Sequence, residues 1–523
     1  MKKFVAMFLS VLMLLSLCAC GGGSSNDSST LKIMVWNSGY GTKWIENLKT
    51  EYLKTHADVK IEISAKSGDS GTGEIYNTIT TGASANDTDL YFAYGPKYLQ
   101  YTEGGENCLE PLNDVVNYTV PGESKTIGQK IGNTILDALV YENNYYALSY
   151  ENGAYGIVYN AKLFEEYDFE VPKTTNELYD LVINAKINTK YNGETVGPAN
   201  TKLTPIMHYP GYWGAAVINW WLQYEGKDNF NSFFNFSNFT TEELLNLQNY
   251  QSRYQQAGLR KGLEALYEII SPDGHTYAGS NSADYITLQS RFIEEEAALI
   301  YPCGGWLESE MLKGEDFDAN LMNNFKLMRY PVLSAVSEKL SAGHQTENDL
   351  IALIDYVDGV ADRPDWATND DVETVRFART CSSTQAAANT VIIPSYSSSK
   401  DIAKDFLKFV YSDAGLKIFA ETQKCFMAFD FDDANVKASI NTESWSAFSK
   451  SVYEISQDST NYVPQKLNHP LYFRTRLQEV FPNTPPEKSF TDSSNTTVSA
   501  FLDYEWSQLM LNWPVYLSSA GLK

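Results

Sequence analysis

Histidine is scarce in this chain, at five residues of 523, and cysteine is scarce where it could do chemistry. Cys18 and Cys20 fall at the very start, while Cys108, Cys303, Cys381 and Cys425 are far apart and irregularly spaced. No Cys-x-x-Cys occurs, which argues against a zinc knuckle or a thioredoxin-like site. So few histidines argue against a His-built metal centre or catalytic triad. Gly-x-Ser-x-Gly, His-Glu-x-x-His and Gly-x-x-x-x-Gly-Lys-Ser/Thr are also absent, so no nucleophile elbow, zincin motif or phosphate loop is present. Positive charge is short: 40 Lys and Arg stand against 65 Asp and Glu, a net charge of −25. A polyanion is repelled by nucleic acid and by anionic lipid, so neither is an expected partner. The four distant cysteines leave two states open: one or two disulfides in an oxidising exterior, or four free thiols.

What is present begins at the N-terminus. Met1-Lys2-Lys3 precedes an apolar run from Phe4 to Leu17, too short to span a bilayer comfortably, and Leu17-Cys18-Ala19-Cys20 follows. A charged start, a short apolar core and a small residue at the cut make a secretory leader. The Leu-x-Ala-Cys ending resembles the bacterial lipoprotein signal. That resemblance implies a signal peptide over 1–19, a lipid on Cys20 and a tether to the outer face of the bacterial cytoplasmic membrane. Residues 20–30 then form a Gly/Ser-rich flexible leash.

The body is long enough for two lobes, each with its own core. Aromatics are 13% of the chain, with 35 Tyr and 10 Trp, so many flat rings are available for surfaces. Leu31–Trp36, Val59–Ile63 and Asp89–Tyr94 read as buried or half-buried strands, and apolar spacing from Trp44 to His56 reads as a helix. Strand, helix, strand, helix, strand predicts an open, mostly parallel α/β sheet. Ligands of such sheets sit beyond the carboxyl ends of strands, which marks the loops after Trp36 and around Tyr94. Helices are expected over 240–256, 285–299, 400–420 in two pieces broken near Asp413, and 498–511. The polar stretch Leu340–Ala378 reads as an external insertion.

Four segments, in order, carry a family resemblance. They are Leu31–Ile63; Tyr146-Ala147-Leu148-Ser149 with Tyr155–Asn160, Leu163-Phe164 and Val171–Leu178; Phe292–Ile300 with Gly304-Gly305-Trp306-Leu307; and Val391–Pro394 with Ser399-Lys400 and Ala403–Phe409. Together they resemble the extracellular solute-binding proteins of ABC importers, the group that includes maltose-binding protein. Ser149, Thr175, Glu295 and Leu299 depart from the usual Pro, Trp, Gly and Met. The resemblance implies an α/β, two-lobe periplasmic-binding-protein-like fold with a hinge and a ligand cleft. By order, one lobe would hold 31–149 and 329–411, the other 150–328 and 412–523. Crossings would fall near Asn152-Gly153, Tyr330-Pro331 and Ser412-Asp413.

The resemblance also implies the function: capture of a carbohydrate, most simply an oligosaccharide, and delivery to ABC permease subunits, by a monomer without enzymatic activity, cofactor or metal. Sugar faces are apolar and sugar edges carry hydroxyls, so rings and Asp, Glu or Asn side chains are the candidates. Trp306 follows a Gly-Gly turn and leads them. Trp36, Tyr40 and Tyr94 close the first and third strands; Glu151 and Tyr155 flank the first crossing. Tyr212 and Trp213 come from the ring-rich loop 208–213, and Tyr472, after Pro470, would supply a late ring. For each the plainer alternative is core packing, and Trp220-Trp221 is assigned to the core. Glu294-Glu295-Glu296 reads as a solvated face, because neighbouring helical residues diverge. Asp430-Phe431-Asp432-Asp433 lacks full calcium-loop spacing and reads as surface charge. A secreted glycosidase or a surface carbohydrate-binding lipoprotein remain the rival readings, and a peptide solute also fits the aromatic richness.

Overall fold

The computed structural model describes residues 29–522 except 67–68, 85–86, 95–107, 152–153, 188–189, 192–193, 196–203, 237–238, 247–250, 252–253, 315, 384–387, 426–428, 458–460, 476, 478–479 and 493–495. The strands that organise it are β1 Thr30–Trp36, β2 Lys60–Lys66, β3 Leu90–Tyr94, β4 Leu148–Glu151, β5 Tyr155–Asn160, β6 Thr204–Ile206, β7 Ala298–Gly304, β8 Phe325–Met328 and β9 Asn389–Ile392. One sheet runs β2-β1-β3-β9-β4 and the other β6-β7-β5-β8. In the first, β1 pairs in parallel with β2 and β3, matching Ile33 to Ile63 and Val35 to Phe92. Strand β9 runs antiparallel to β3 and β4.

Alternation explains how β1 is placed. Leu31, Ile33 and Val35 are buried while Lys32, Met34 and Trp36 are half-buried, the period-two pattern of a strand with one fully covered face. Helix α1, Lys43–Tyr52, then covers that face with Trp44, Ile45, Leu48 and Tyr52. In the second sheet β7 is buried along its whole length. Its residues divide between two cores: Ala298 and Tyr301 join the first sheet's cluster, whereas Leu299 and Ile300 join a helical one. Gly156 is required in β5, since a Cβ there would lie 2.2 Å from the Met328 carbonyl oxygen of the neighbouring strand.

Several segments depart from the sequence expectation. The helix expected over 285–299 ends at Ile293; Glu296 turns left-handed at φ 49° and β7 begins at Ala298. Three successive carboxylates sit where a helix carries its negative end, so the helix stops before them. The helix expected from 240 begins at Thr241 but ends at Leu245, and another spans Ala257–Ile270. Leu340–Ala378 is not a plain external insertion. It forms helices Glu347–Val357 and Asn369–Thr380, whose Leu350, Leu353, Ile354, Val372 and Val375 are buried in the helical core.

The lobe boundaries shift accordingly. Residues 330–378 pack with the second sheet's helices, the Trp220 indole donating to the Pro331 carbonyl at 3.0 Å, so Tyr330-Pro331 is not a crossing. The chain passes instead between Cys381, in the helical core, and β9. Ser412-Asp413 is not a crossing either. Ser412 caps the helix Asp413–Gln423, and that helix packs on α1 beneath the first sheet. The later passage lies before helix Ala447–Gln457, which packs on β8. The first passage leads from Glu151 in the first sheet to Tyr155 in the second; Asn152 and Gly153 lie outside the described residues, as do Cys20 and the leader. The four cysteines of the body are free thiols. Among the described residues no helix is long and apolar enough to cross a membrane.

Candidate functional site

A cleft of about 660 Å³ opens between the loop after β1 and the second sheet. From the first sheet it is lined by Trp36, Ser38, Gly39 and Tyr40, and across it by Tyr155, Tyr209, Tyr212, Trp306 and Glu310. Gly39 and Gly41 hold φ of +63° and +66°, a region costly for other residues, and so turn the loop back at the end of β1. Opposite, Gly304 ends β7, and a Cβ there would lie 1.9 Å from the Trp306 ring. The missing side chain lets the indole fold back over the strand end. Tyr155 is the register partner of Gly304 and meets the Trp306 ring edge-on at 4.9 Å and 71°. Tyr212 packs against the same indole at 6.3 Å and 81°, and Tyr209 against Tyr212 at 5.4 Å. Edge-to-face contacts of this kind fix ring orientation. Trp306 stays partly exposed, so part of the indole remains available to a ligand.

The charges are of one sign. Asp284 and Glu310 line the cleft, and no Lys, Arg or His is among its described lining residues. Asp284 caps the helix Tyr285–Ile293, accepting the Thr287 hydroxyl at 2.7 Å and amide at 3.0 Å, and these bonds lower its pKa. Glu310 accepts the Gly39 amide at 2.9 Å and the Gln289 side-chain amide at 2.8 Å. Burial raises its pKa above the usual carboxylate value. Beside it Lys313 donates to the Asn37 carbonyl at 2.6 Å, and burial pushes that amine down to about 8. Glu310 and Lys313 thus latch the second unit onto the loop that follows β1. Cys303 also lines the cleft, but burial raises its thiol pKa well above normal, which keeps it unreactive.

Of the residues expected to bind ligand, the structure gathers Trp36, Tyr40, Tyr155, Tyr212 and Trp306 around this one cleft. Trp213 and Tyr472 do not join them. Trp213 is fully buried and packs on Trp220 at 6.2 Å, pointing one helical step away from Tyr212. Tyr472 is fully buried among Phe234 and Phe236, its hydroxyl donating to the Phe233 carbonyl at 2.9 Å. The side chains of Tyr94 and Glu151 lie outside what is described. Sequence reading missed Tyr285, Tyr330, Ser383, Gln465 and Phe481, which reach the cleft from distant segments. Tyr209 had a signal, since it lies in the ring-rich loop. Glu296 of the acidic triplet pairs with Lys162 at 2.9 Å, and Glu294 and Glu295 are exposed.

One carboxylate supports the cleft from behind. Tyr212 opens the helix Tyr212–Phe234, whose N-cap Gly211 offers no side chain. The Gly211 amide donates to Glu487, which is fully buried. A carboxylate at a helix N-terminus completes the cap. Burial nevertheless raises the Glu487 pKa from 4.5 to about 7. A raised carboxylate pKa stabilises the fold below the unfolded value and loses that contribution as pH rises through about 7, here at most about 3 kcal/mol. Glu487→Gln is therefore expected to flatten the fall in melting temperature between pH 5 and pH 8. His208, pushed down to about 4 by burial, acts in the opposite sense at acid pH, and comparing variant with parent removes it. Superimposable pH profiles would show that Glu487 does not titrate in this range.

Comparison with known proteins fits this geometry. Residues 36–262 match the model of the bacterial extracellular solute-binding proteins. The diacetylchitobiose binding protein NgcE of Streptomyces coelicolor is 24% identical over 330 residues, and the alignment spans 62% of this chain and 62% of that relative's length. Among solved structures, the bacterial solute receptor AcbH, described as exclusive for β-D-galactopyranose, aligns with a TM-score of 0.58 at 12% identity, over 92% of this chain and 99% of its own. A chitin oligosaccharide binding protein aligns at 0.57 and 13% identity, over 94% and 99%. Maltose-bound MalE3 of T. maritima aligns at 0.58 and 12% identity, over 92% and 99%. At these identities the three structures share the fold.

Proposed function

We propose that this chain acts as a bacterial extracellular solute-binding protein, capturing an oligosaccharide in the cleft and delivering it to the permease of an ABC importer. The observation that carries the reading is the ring-lined cleft: Trp36 and Tyr40 on one side face Tyr155, Tyr212 and Trp306 on the other. Flat aromatic faces cover the C–H face of a pyranose, and a ligand touching both sides stabilises the closed arrangement. The ligands after which those proteins are described, all saccharides, support the same class. Lipid on Cys20 would hold the body outside the membrane, with residues 21–29 as leash. Transport energy would come from the partner ATPase.

A receptor is favoured over a glycosidase because the two carboxylates among the described lining residues are already engaged. Asp284 caps a helix and Glu310 holds the Gly39 amide. Neither is free as the acid or nucleophile that hydrolysis requires. The test is a thermal-shift panel on residues 21–523 with diacetylchitobiose, chitin oligosaccharides, maltose, xylo-oligosaccharides, amino acids and short peptides. Ligand at a hundred times its Kd should add about 2.7 kcal/mol. A rise with an oligosaccharide recovered intact supports capture. A rise with peptides alone overturns the carbohydrate assignment, and cleaved sugar restores the enzyme.

A further inference from the structure

The cleft contains two polar atoms that the fold leaves unsatisfied. Gln465 is 4% exposed and Ser383 7% exposed, and both line the cleft. Gln465 Oε1 and Ser383 Oγ are buried without any hydrogen-bond partner among the described residues. An unmade hydrogen bond at a buried polar atom costs about 1–3 kcal/mol, so native folds rarely keep one without a use. Two such atoms lining one cleft call for a common cause.

The backbone places them together. Residues 381–383 and 461–463 run in parallel, joined by a bridge between Ser382 and Tyr462. The Ser382 amide donates to the Asn461 carbonyl at 3.3 Å, and the Val463 amide to the Ser382 carbonyl at 2.8 Å. Ser383 follows one strand of this bridge and Gln465 the other. The first segment is also the passage from the helical core to β9, where Asn389 lines the cleft as well. A ligand bound here would therefore touch the connection between the two units.

The chemistry of the site is selective. Gln465 Oε1 only accepts, so it needs an O–H or N–H from the ligand. The nearby charged lining groups, Asp284 and Glu310, are acceptors too when ionised, and no cation stands among the described lining residues. A ligand hydroxyl can donate to Gln465 Oε1; a carboxylate or phosphate cannot, and at the cleft rim it would meet the like charge of Asp284. We propose that Ser383 and Gln465 form a hydroxyl-reading subsite that selects neutral saccharides and rejects acidic ones. This rests on the carbohydrate reading above and narrows it.

The experiment is calorimetric titration of the parent, Gln465→Leu, Gln465→Glu and Ser383→Ala. The probes are the neutral oligosaccharide that raises melting temperature most in the panel, and digalacturonic acid as the acidic disaccharide. The parent should bind the neutral sugar and give no heat with digalacturonate. Gln465→Leu should lose about tenfold or more in affinity, and Ser383→Ala severalfold. Gln465→Glu, which keeps an acceptor, should retain more affinity than Gln465→Leu. Melting curves without sugar check that each variant folds, and Ser383→Ala carries the test should Gln465→Leu not fold. Parent-like affinity in both Gln465→Leu and Ser383→Ala, or tight digalacturonate binding by the parent, overturns the subsite while leaving the carbohydrate reading intact. A parent that binds no saccharide at all overturns the carbohydrate reading itself.

Discussion

Trp306→Ala is expected to weaken oligosaccharide binding about a hundredfold while leaving the fold in place, the scale of effect typical of a central aromatic anchor. The indole packs only at the edge of the core: it is partly exposed, two residues past the end of β7. It does much for the cleft, where Tyr155 and Tyr212 both pack against its ring and a Cβ added at Gly39 would sit 3.9 Å from its own Cβ. Removing it takes away a sugar platform and loosens two neighbouring rings. Gly304→Val offers an independent route to the same loss. A side chain there would occupy the volume of the Trp306 ring, displacing the indole without deleting it. Titration of both variants with the saccharide selected by thermal shift checks the claim. Affinity within threefold of the parent in Trp306→Ala would place the solute elsewhere.

The sequence made this site half legible, and the division has physical causes. Trp306 was readable because it follows a Gly-Gly turn at a point where the family resemblance implies a ring against the ligand. Trp36 and Tyr40 were readable because they flank the loop at the carboxyl end of the first strand. Tyr212 and Trp213 could not be separated, since adjacent helical positions differ by about 100° and only the start of the helix decides which faces the cleft. Tyr472 was misplaced for a related reason. Pro470 opens a short helix, which turns the ring into the core. Ser383, Gln465 and Phe481 carry no local signal at all. They line the cleft only because distant segments converge there, and convergence is a property of the tertiary fold. The lobe boundaries failed similarly. The buried faces of Glu347–Val357 and Asn369–Thr380 hide behind capping boxes and surface acids, which made a packed helix pair read as a polar insertion.

Lys130→Met is expected to destabilise the fold by about 3–5 kcal/mol, because it strands buried charge. The Lys130 side chain is 2% exposed and lies 2.5 Å from Glu123 and 3.3 Å from Asp413, themselves 10% and 9% exposed. The cluster ties distant parts of the first unit. Glu123 accepts the Asp413 amide at 2.7 Å, and Asp413 accepts the amides of Asp432 and Asp433 at 2.9 and 2.7 Å. Asp432 returns the link by accepting the Ser124 and Lys125 amides. The acidic run 430–433, read from sequence as surface charge, is thus partly a clasp between the turn before Lys130 and the helix Asp413–Gln423. Methionine keeps the volume of the lysine stem but leaves the two carboxylates without their cation. Chemical denaturation of the parent, Lys130→Met and the triple variant Lys130→Met/Glu123→Gln/Asp413→Asn separates charge from packing. If stranded charge is the cause, the triple variant recovers a good part of the loss, because neutral amides tolerate burial without a cation. If packing or the amide bonds to Asp413 dominate, the triple variant is no more stable than the single one. Saccharide affinity of the folded Lys130→Met protein should match the parent, since none of these residues lines the cleft.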